Sequence, residues 1–288
     1  MRVTVFDRKV DRMADNLPRS HIAPSYGKTR LVAITRGVSE RIGRCELTYS
    51  PRVKIDLDLA RAQHRIYERT LAECGCEVVS LPADSELPDS VFVEDTAIVL
   101  DEVAIIARPG VESRRPETAS VARELGEYRK LEFIDSPGTL EGGDVLCVGK
   151  TLYAGLSGRT NETGIDQLRA RVLPHGYTVT PVKLTACLHL KSAATEVGPE
   201  TLLVNPRWVD KAAFGRANLV EVDPDEPLGA NGLLVGTIVI YPSSFTRTRR
   251  RLEEHGIHVA PVDVSELQKA EGAVTCCSLV FGVRPRAR

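Results

Sequence analysis

The chain has 288 residues, 42% of them hydrophobic, and a formal net charge of −1. Two domains or one large symmetric domain fit this length, since single domains commonly run to about 100–200 residues. The balanced charge argues against a nucleic-acid or membrane-surface partner, and no run of 18 apolar residues is available to span a bilayer.

The first 28 residues are charged and lack the apolar stretch of a secretory signal, while Asp7, Asp11 and Asp15 argue against a mitochondrial address. They read as a flexible arm, and residues 284–288 as a short basic tail. Between them, residues 29–283 are expected to form one domain. The seven cysteines are odd in number and scattered, which points to free thiols and the cytoplasm rather than a disulfide framework. Cys74-Gly-Cys76 and the vicinal Cys276-Cys277 come nearest to zinc-ligand spacing, but neither has a histidine close by.

One pattern recurs along the chain: an amphipathic helix, often ending at glycine, followed by a β-rich segment. The first copy spans 56–75, where Ala60, Tyr67, Leu71 and Cys74 share a helical face and Gly75 suits the position after the helix. The second begins at Pro116, a residue suited to the first helical position. The third, 161–176, is expected to be capped by Asn161 or Thr163. Shorter copies follow at 207–215 and 245–256, and HGYTVTPV closely matches HGIHVAPV. Between copies, TAIVLDEVAIIARP, DVLCVGKTLYAGL, ATEVGPETLLVNP and LLVGTIVIYP read as β-hairpins. The expected fold is therefore α/β: five ββαβ units closed into a propeller, which leaves no free sheet edge.

The entry to each hairpin carries a chemically active residue. Glu94, Glu141, His189, Asn231 and Cys276 follow one another at steps of 47, 48, 42 and 45 residues. Equivalent points of a ring face its axis, so carboxylates, an imidazole, an amide and a thiol should converge on one centre. A cysteine with a histidine in reach is a nucleophile–acid/base pair. Asp89, Glu94, Asp95 and Glu141 around the thiol would raise its pKa by repulsion, which is sensible only if the substrate brings positive charge. A guanidinium does so and matches carboxylates with its planar donor fork. Each residue alone has a plainer reading: Gly142-Gly143 beside Glu141 as a bulge, His189 and Cys276 as core, Arg114 and Arg159 as surface cations. Recurrence at one repeat phase is what joins them. Cys276 and Cys277 cannot readily bond each other, because adjacent Cα atoms lie only about 3.8 Å apart. Alternation along a strand TCCSLVF would turn them to opposite faces.

The segments LPADSELPDSVFVED, ARPGVESRR, GTLEGGDVL, GLSGRTN, LHLKS and TCCS resemble those of the dimethylarginine dimethylaminohydrolases, in the same order over about residues 30–282. The resemblance implies the pentein fold, a five-bladed ββαβ propeller, and hydrolysis of Nω-methylated arginine to citrulline and a methylamine. It implies Cys276 as nucleophile, His189 as general acid/base, and Glu141 as the acidic residue that holds the histidine and the guanidinium side. It implies Glu94 and Asp95 at the guanidinium, Asp89 at the α-amino group, Arg114 and Arg159 at the substrate carboxylate, and the Leu47 and Ala270 carbonyls at the amino-acid end. A small guanidino molecule is the implied partner; no metal or organic cofactor is implied, and a homodimer is left open. Two departures stand out: stretch 37–55 is longer than the lid region of the animal enzymes, and Glu271 stands where relatives often carry Asp. Arginine deiminase or amidinotransferase chemistry on the same scaffold, and a non-catalytic pentein binding protein, are the alternatives.

Overall fold

The computed structural model describes residues 29–283. The expected arm and basic tail lie outside the described residues.

The described residues open with strand β1 (Arg30–Arg36) and a loop to Asp56, whose carboxylate accepts from the Leu59 N–H and caps helix α1 (Leu57–Glu73). This helix buries Ala60, Tyr67 and Leu71 as the periodicity predicts, and also Gln63 and His64. It ends at Cys74, with Gly75 in the left-handed region at φ +96°. Strand β2 (Cys76–Leu81) then pairs parallel to β1.

The same sentence repeats down the chain. β3 (Ala97–Val99), β4 (Val103–Ile106), helix α2 (Thr118–Leu125) and β5 (Lys130–Phe133) form the next unit. β6 (Val145–Val148), β7 (Thr151–Leu156), α3 (Glu162–Val172) and β8 (Thr178–Lys183) form another. After the one-turn α4 (Leu190–Ala193) come β9 (Ala194–Gly198), β10 (Thr201–Val204) and β11 (Asn218–Glu221). β12 (Leu233–Val235), β13 (Ile238–Pro242), α5 (Thr246–Glu254) and β14 (His258–Val262) follow, then the one-turn α6 (Ser265–Gln268) and β15 (Leu279–Val283). In each sheet the first pair is antiparallel and the second parallel. The described residues contain five three-stranded sheets, and one of them, β15-β1-β2, joins the first and last of the described strands.

Strand alternation explains how the sheets pack. Val32 and Ile34 of β1 enter one core with Ala104, Ile106 and Leu125, whereas Ala33 between them enters another with Ile240 and Val262. Val103 and Ile105 of β4 face a core with Leu152 and Leu168. Leu202 and Val204 of β10 face Leu146 and Val182, and Leu203 faces Val239 and Tyr241. Each core thus joins two sheets, and burying one such aliphatic side chain contributes about 1.5–3 kcal/mol. A cavity of about 210 Å³ is lined by residues from β3, β6, β9, β12 and β15, the first strand of each sheet.

Three local expectations are corrected. The fourth connection is a tight helical turn, Lys211–Phe214, not a helix, because the segment is too short to repay nucleation. Pro116 sits inside the helical turn Glu112–Glu117 that precedes α2, not at the first position of the helix. Residues 274–277 form a turn, with the strand starting only at Leu279. Among the described residues no helix is long and apolar enough to cross a membrane.

Candidate active site

The sites marked by the repeat do meet. The 139–143 segment brings Glu141 against His189, and the imidazole Nε2 lies 2.6 Å from Glu141 Oε2 with both groups buried. Glu141 Oε1 also accepts from the Gly110 N–H at 3.1 Å. Asp95 accepts from the Gly143 N–H at 3.1 Å and faces His189 Nδ1 at 3.8 Å. Glycine at 142 and 143 is required by this close approach. A Cβ on Gly142 would stand 1.9 Å from the Glu94 carbonyl oxygen, and one on Gly143 would stand 2.7 Å from both Asp95 Oδ1 and His189 Nδ1.

Glu94 accepts from Lys191 Nζ and from the Thr275 hydroxyl, both at 2.7 Å. Asn231 donates to Thr275 Oγ1 at 2.9 Å and accepts from its N–H at 3.1 Å. The Glu94 N–H donates to the Cys276 carbonyl at 3.1 Å. The doublet separates as expected, although by a turn and not by strand alternation. Cys276 is partly exposed and lines two cavities, of about 320 and about 20 Å³. Cys277 is fully buried, its thiol directed at the Ala273 carbonyl at 3.3 Å.

The smaller cavity gathers Asp89, Asp95, Arg114, Arg159, His189, Ala270 and Cys276. Both arginines are buried despite following hairpin ends. Arg114 bonds Asp95 at 2.8 Å and Glu117 through two of its nitrogens at 2.9 and 3.2 Å. Arg159 donates to the Thr48 hydroxyl at 3.1 Å and lies 3.7 Å from Glu141. Asp89 accepts from the Glu46 N–H at 3.1 Å. Glu46 lines the small cavity, while the Leu47 side chain packs on the adjoining hydrophobic core.

Electrostatics act differently on His189 and Cys276. Burial alone would lower the His189 pKa, but Asp95, Asp144 and the bond to Glu141 outweigh it and push the pKa up to about 9. Burial, then Glu94 and Asp95, raise the Cys276 thiol well above its ordinary value. Burial opposes ionisation of Asp95, yet His189 and Arg114 prevail and hold its carboxyl below the usual range. The imidazole is thus protonated at neutral pH, and the thiol keeps its proton. Asp95, Glu141 and His189 also offer ligand atoms within 4.8 Å of one another. Their oxygens are already engaged by Arg114, Gly110 and Gly143, so a metal ion would have to displace bonds already made.

The family described as N,N dimethylarginine dimethylhydrolase, eukaryotic, matches residues 48–221. A dimethylarginine dimethylaminohydrolase from Pseudomonas aeruginosa is 39% identical over 237 residues, covering 82% of this chain and 93% of that one. The chain belongs to the dimethylarginine dimethylaminohydrolase family. The family's Streptomyces coelicolor member is 38% identical over 249 residues, 86% of this chain and 95% of its own. A Pseudomonas aeruginosa dimethylarginine dimethylaminohydrolase structure, a cysteine-to-serine variant complexed with citrulline, superposes with a TM-score of 0.84 at 37% identity, covering 88% of this chain and all of that one. A histidine-to-glycine variant of a dimethylarginine dimethylaminohydrolase, in an adduct with S-methyl-L-thiocitrulline, gives a TM-score of 0.83 at 37% identity, covering 86% of this chain and 98% of that one. The N-terminal domain of a cyanobacterial arginine dihydrolase, at 18% identity and a TM-score of 0.75, shares the fold.

Several residues of this dimethylarginine dimethylaminohydrolase site escaped the sequence reading. Glu117 carried a usable signal, since it lies three residues after Arg114 and a helical turn brings such positions together. Lys191 follows His189 by two residues on a one-turn helix, too short for any periodicity. Asp144 and Glu46 act through bonds that cross 46 and 43 residues, which no local pattern announces.

Proposed function

We propose that this protein hydrolyses Nω-methylated L-arginine to L-citrulline and a methylamine. The observation that carries the reading is the buried 2.6 Å pair of His189 and Glu141, whose histidine lines a cavity together with Cys276, Asp95 and two arginines. The entering guanidinium meets Glu94 and Asp95, and its charge relieves the repulsion that keeps the Cys276 thiol protonated. The thiol releases its proton to solvent, the thiolate adds to the guanidinium carbon, and His189 gives its own proton to the methylamine nitrogen as the carbon–nitrogen bond breaks. The resulting S-alkylthiouronium is attacked by water that the now neutral His189 deprotonates. Collapse expels the thiolate and leaves the ureido group of citrulline. Arg159, held only by Thr48 and a longer contact to Glu141, is the readier partner for the substrate carboxylate. Arg114 would have to exchange its bond to Asp95 to join it. Asp89 and the Ala270 and Leu47 carbonyls take the α-amino end.

We further infer that residues 29–283 are one domain, a closed five-bladed propeller. This reading is supported by the five cores that join the sheets in succession and by the cavity that all five first strands line. Seven free cysteines fit the cytoplasm as its place of work.

The test is citrulline formation from dimethylarginine, monomethylarginine and arginine, measured side by side. Methylated substrates should be preferred, and Cys276→Ser should abolish turnover. Undiminished citrulline release by Cys276→Ser would overturn the mechanism, and preferential ammonia release from arginine would make the enzyme a deiminase.

A further inference from the structure

Glu271 occupies the rim of both cavities and belongs to none of the roles assigned above. Its carboxylate accepts from three successive backbone amides of the loop that follows Glu46. Oε2 takes the Thr48 N–H at 2.9 Å, and Oε1 takes those of Tyr49 and Ser50 at 2.6 and 2.5 Å. Consecutive amides pointing into one concavity make a backbone anion site, here filled by a side chain 221 residues or more away. None of the three amides lies in a helix or strand, so Glu271 is what satisfies them.

The backbone is arranged to aim this carboxylate. Glu271 stands in the left-handed region at φ +58°, a conformation an ordinary residue keeps only when its surroundings impose it. The Glu271 and Gly272 amides donate to the Gln268 and Leu267 carbonyls. Gly272 has no room for a Cβ, which would lie 2.2 Å from the Phe92 ring. The turn is fixed on both sides and the side chain reaches across the rim.

The loop it holds is tied to the substrate end of the site. Thr48 receives Arg159, the Glu46 N–H reaches Asp89, and Glu46 Oε1 accepts from the Ser113 hydroxyl at 2.7 Å. The small cavity beneath encloses about 20 Å³, too little for an amino acid, so part of its wall has to move for entry, and Glu46 of this loop belongs to that wall. We propose that the Glu271 carboxylate is a latch that holds residues 46–50 closed over the amino-acid end of the substrate. It is a positioning residue, setting affinity for ligands that carry that end and leaving the chemistry at Cys276 unaltered. The inference rests on the proposed function.

Glu271→Gln keeps the length of the side chain but removes the charge and turns an NH2 toward amides that need an acceptor. With charge-assisted bonds lost, KM for methylated arginine should rise about ten-fold or more while kcat stays within about three-fold. Glu271→Asp should fall between the two. Hydrogen exchange at the Thr48, Tyr49 and Ser50 amides should quicken in Glu271→Gln, with exchange in α1 unchanged as a check on folding. Chloroacetamidine carries an amidinium but no amino-acid end, and should alkylate Cys276 at the wild-type rate in the variant. Unchanged exchange at 48–50, or an unchanged KM, would overturn the latch. A fall in the alkylation rate parallel to kcat/KM would overturn it too, by showing that Glu271 acts on the nucleophile. If the wild type turns over no methylated arginine, the functional reading fails, and the exchange experiment still decides the latch.

Discussion

His189 and Glu141 form a buried pair in which the imidazole Nε2 stands 2.6 Å from a carboxylate oxygen; against burial, Asp95 and Asp144 together with this bond raise the imidazole pKa to about 9. Because the folded value lies above the ordinary one near 6.5, the protonated ring stabilises the fold fully below about pH 6.5, and this contribution is lost as pH rises through about 9. Glu141→Gln should lower the His189 titration by a unit or more and narrow that window. It should also lower kcat by roughly 10²–10³, since the departing amine loses an oriented acid. Ring-proton NMR of His189 against pH checks the first effect and steady-state kinetics the second; an unmoved titration would remove Glu141 from the role.

Cys276 is partly exposed and lines two cavities while Cys277 is fully buried, and chemical labelling should separate them. A neutral reagent such as iodoacetamide should modify Cys276 more slowly than a free thiol at pH 7, because burial and the Glu94 and Asp95 charges keep it protonated. Its rate should climb with pH. Chloroacetamidine, which brings its own positive charge, should react at pH 7 faster than iodoacetamide does, relative to a free thiol. Cys277, fully buried and with its thiol also raised by burial, should stay unlabelled until the protein unfolds. Peptide mapping by mass spectrometry reads both sites, and labelling of Cys277 first would contradict the assignment.

The hairpins and most helices were legible because their information is local. Period-two runs such as TLYAGL and period-3.6 runs such as the α1 face are set by neighbours a few residues away. The convergence of Glu94, Glu141, His189, Asn231 and Cys276 was legible through the repeat, which turns a long-range relation into a count along the chain. What the repeat could not give is which donor meets which acceptor. Asp95 was expected to await a guanidinium, but in this structure it holds that of Arg114. The fourth helix was misjudged because similarity to other copies was extended to a segment too short to follow them. The TCCS strand was misjudged because alternation was carried back from Leu279 into residues that form a turn at the site.

Gly142 and Gly143 test whether close backbone approach builds the site. Gly142→Ala would drive a methyl into the Glu94 and Ala97 carbonyl oxygens, at 1.9 and 2.8 Å. Both are main chain and cannot swing aside, so a loss of about 2–4 kcal/mol with loss of activity is expected. Gly143→Ala meets side-chain atoms of Asp95 and His189, which can shift. It should fold, yet lose catalysis by displacing the imidazole. Gly158→Ala, with nothing within 4 Å of the added atom, should leave both properties unchanged. Thermal melts beside kcat/KM for the three variants supply the comparison.

Asp144 ties the histidine segment to the arginine loop. One carboxylate oxygen accepts from the Leu190 N–H at 3.0 Å, immediately after His189, and the other from the Ser157 hydroxyl at 2.6 Å. Ser157 in turn accepts from the Arg159 and Thr160 amides, and Thr160 Oγ1 accepts from the Glu141 N–H at 3.1 Å. Burial raises the Asp144 pKa from 3.8 to about 6, so the ionised form costs the native state. The group's contribution is most favourable below about pH 3.8 and is lost as pH rises through about 6. Asp144→Asn should remain within about 1 kcal/mol of wild type at pH 7, with relief from the buried charge offsetting weaker hydrogen bonds, and should flatten the stability profile between about pH 4 and 6. Asp144→Ala leaves the Leu190 N–H and the Ser157 hydroxyl proton without acceptors and should cost about 2–4 kcal/mol. It should also lower kcat/KM by roughly 10² or more, because His189 and Arg159 lose a common anchor. Urea melts across that pH range decide the first point; an alanine variant with wild-type kcat/KM would show that Asp144 positions neither residue.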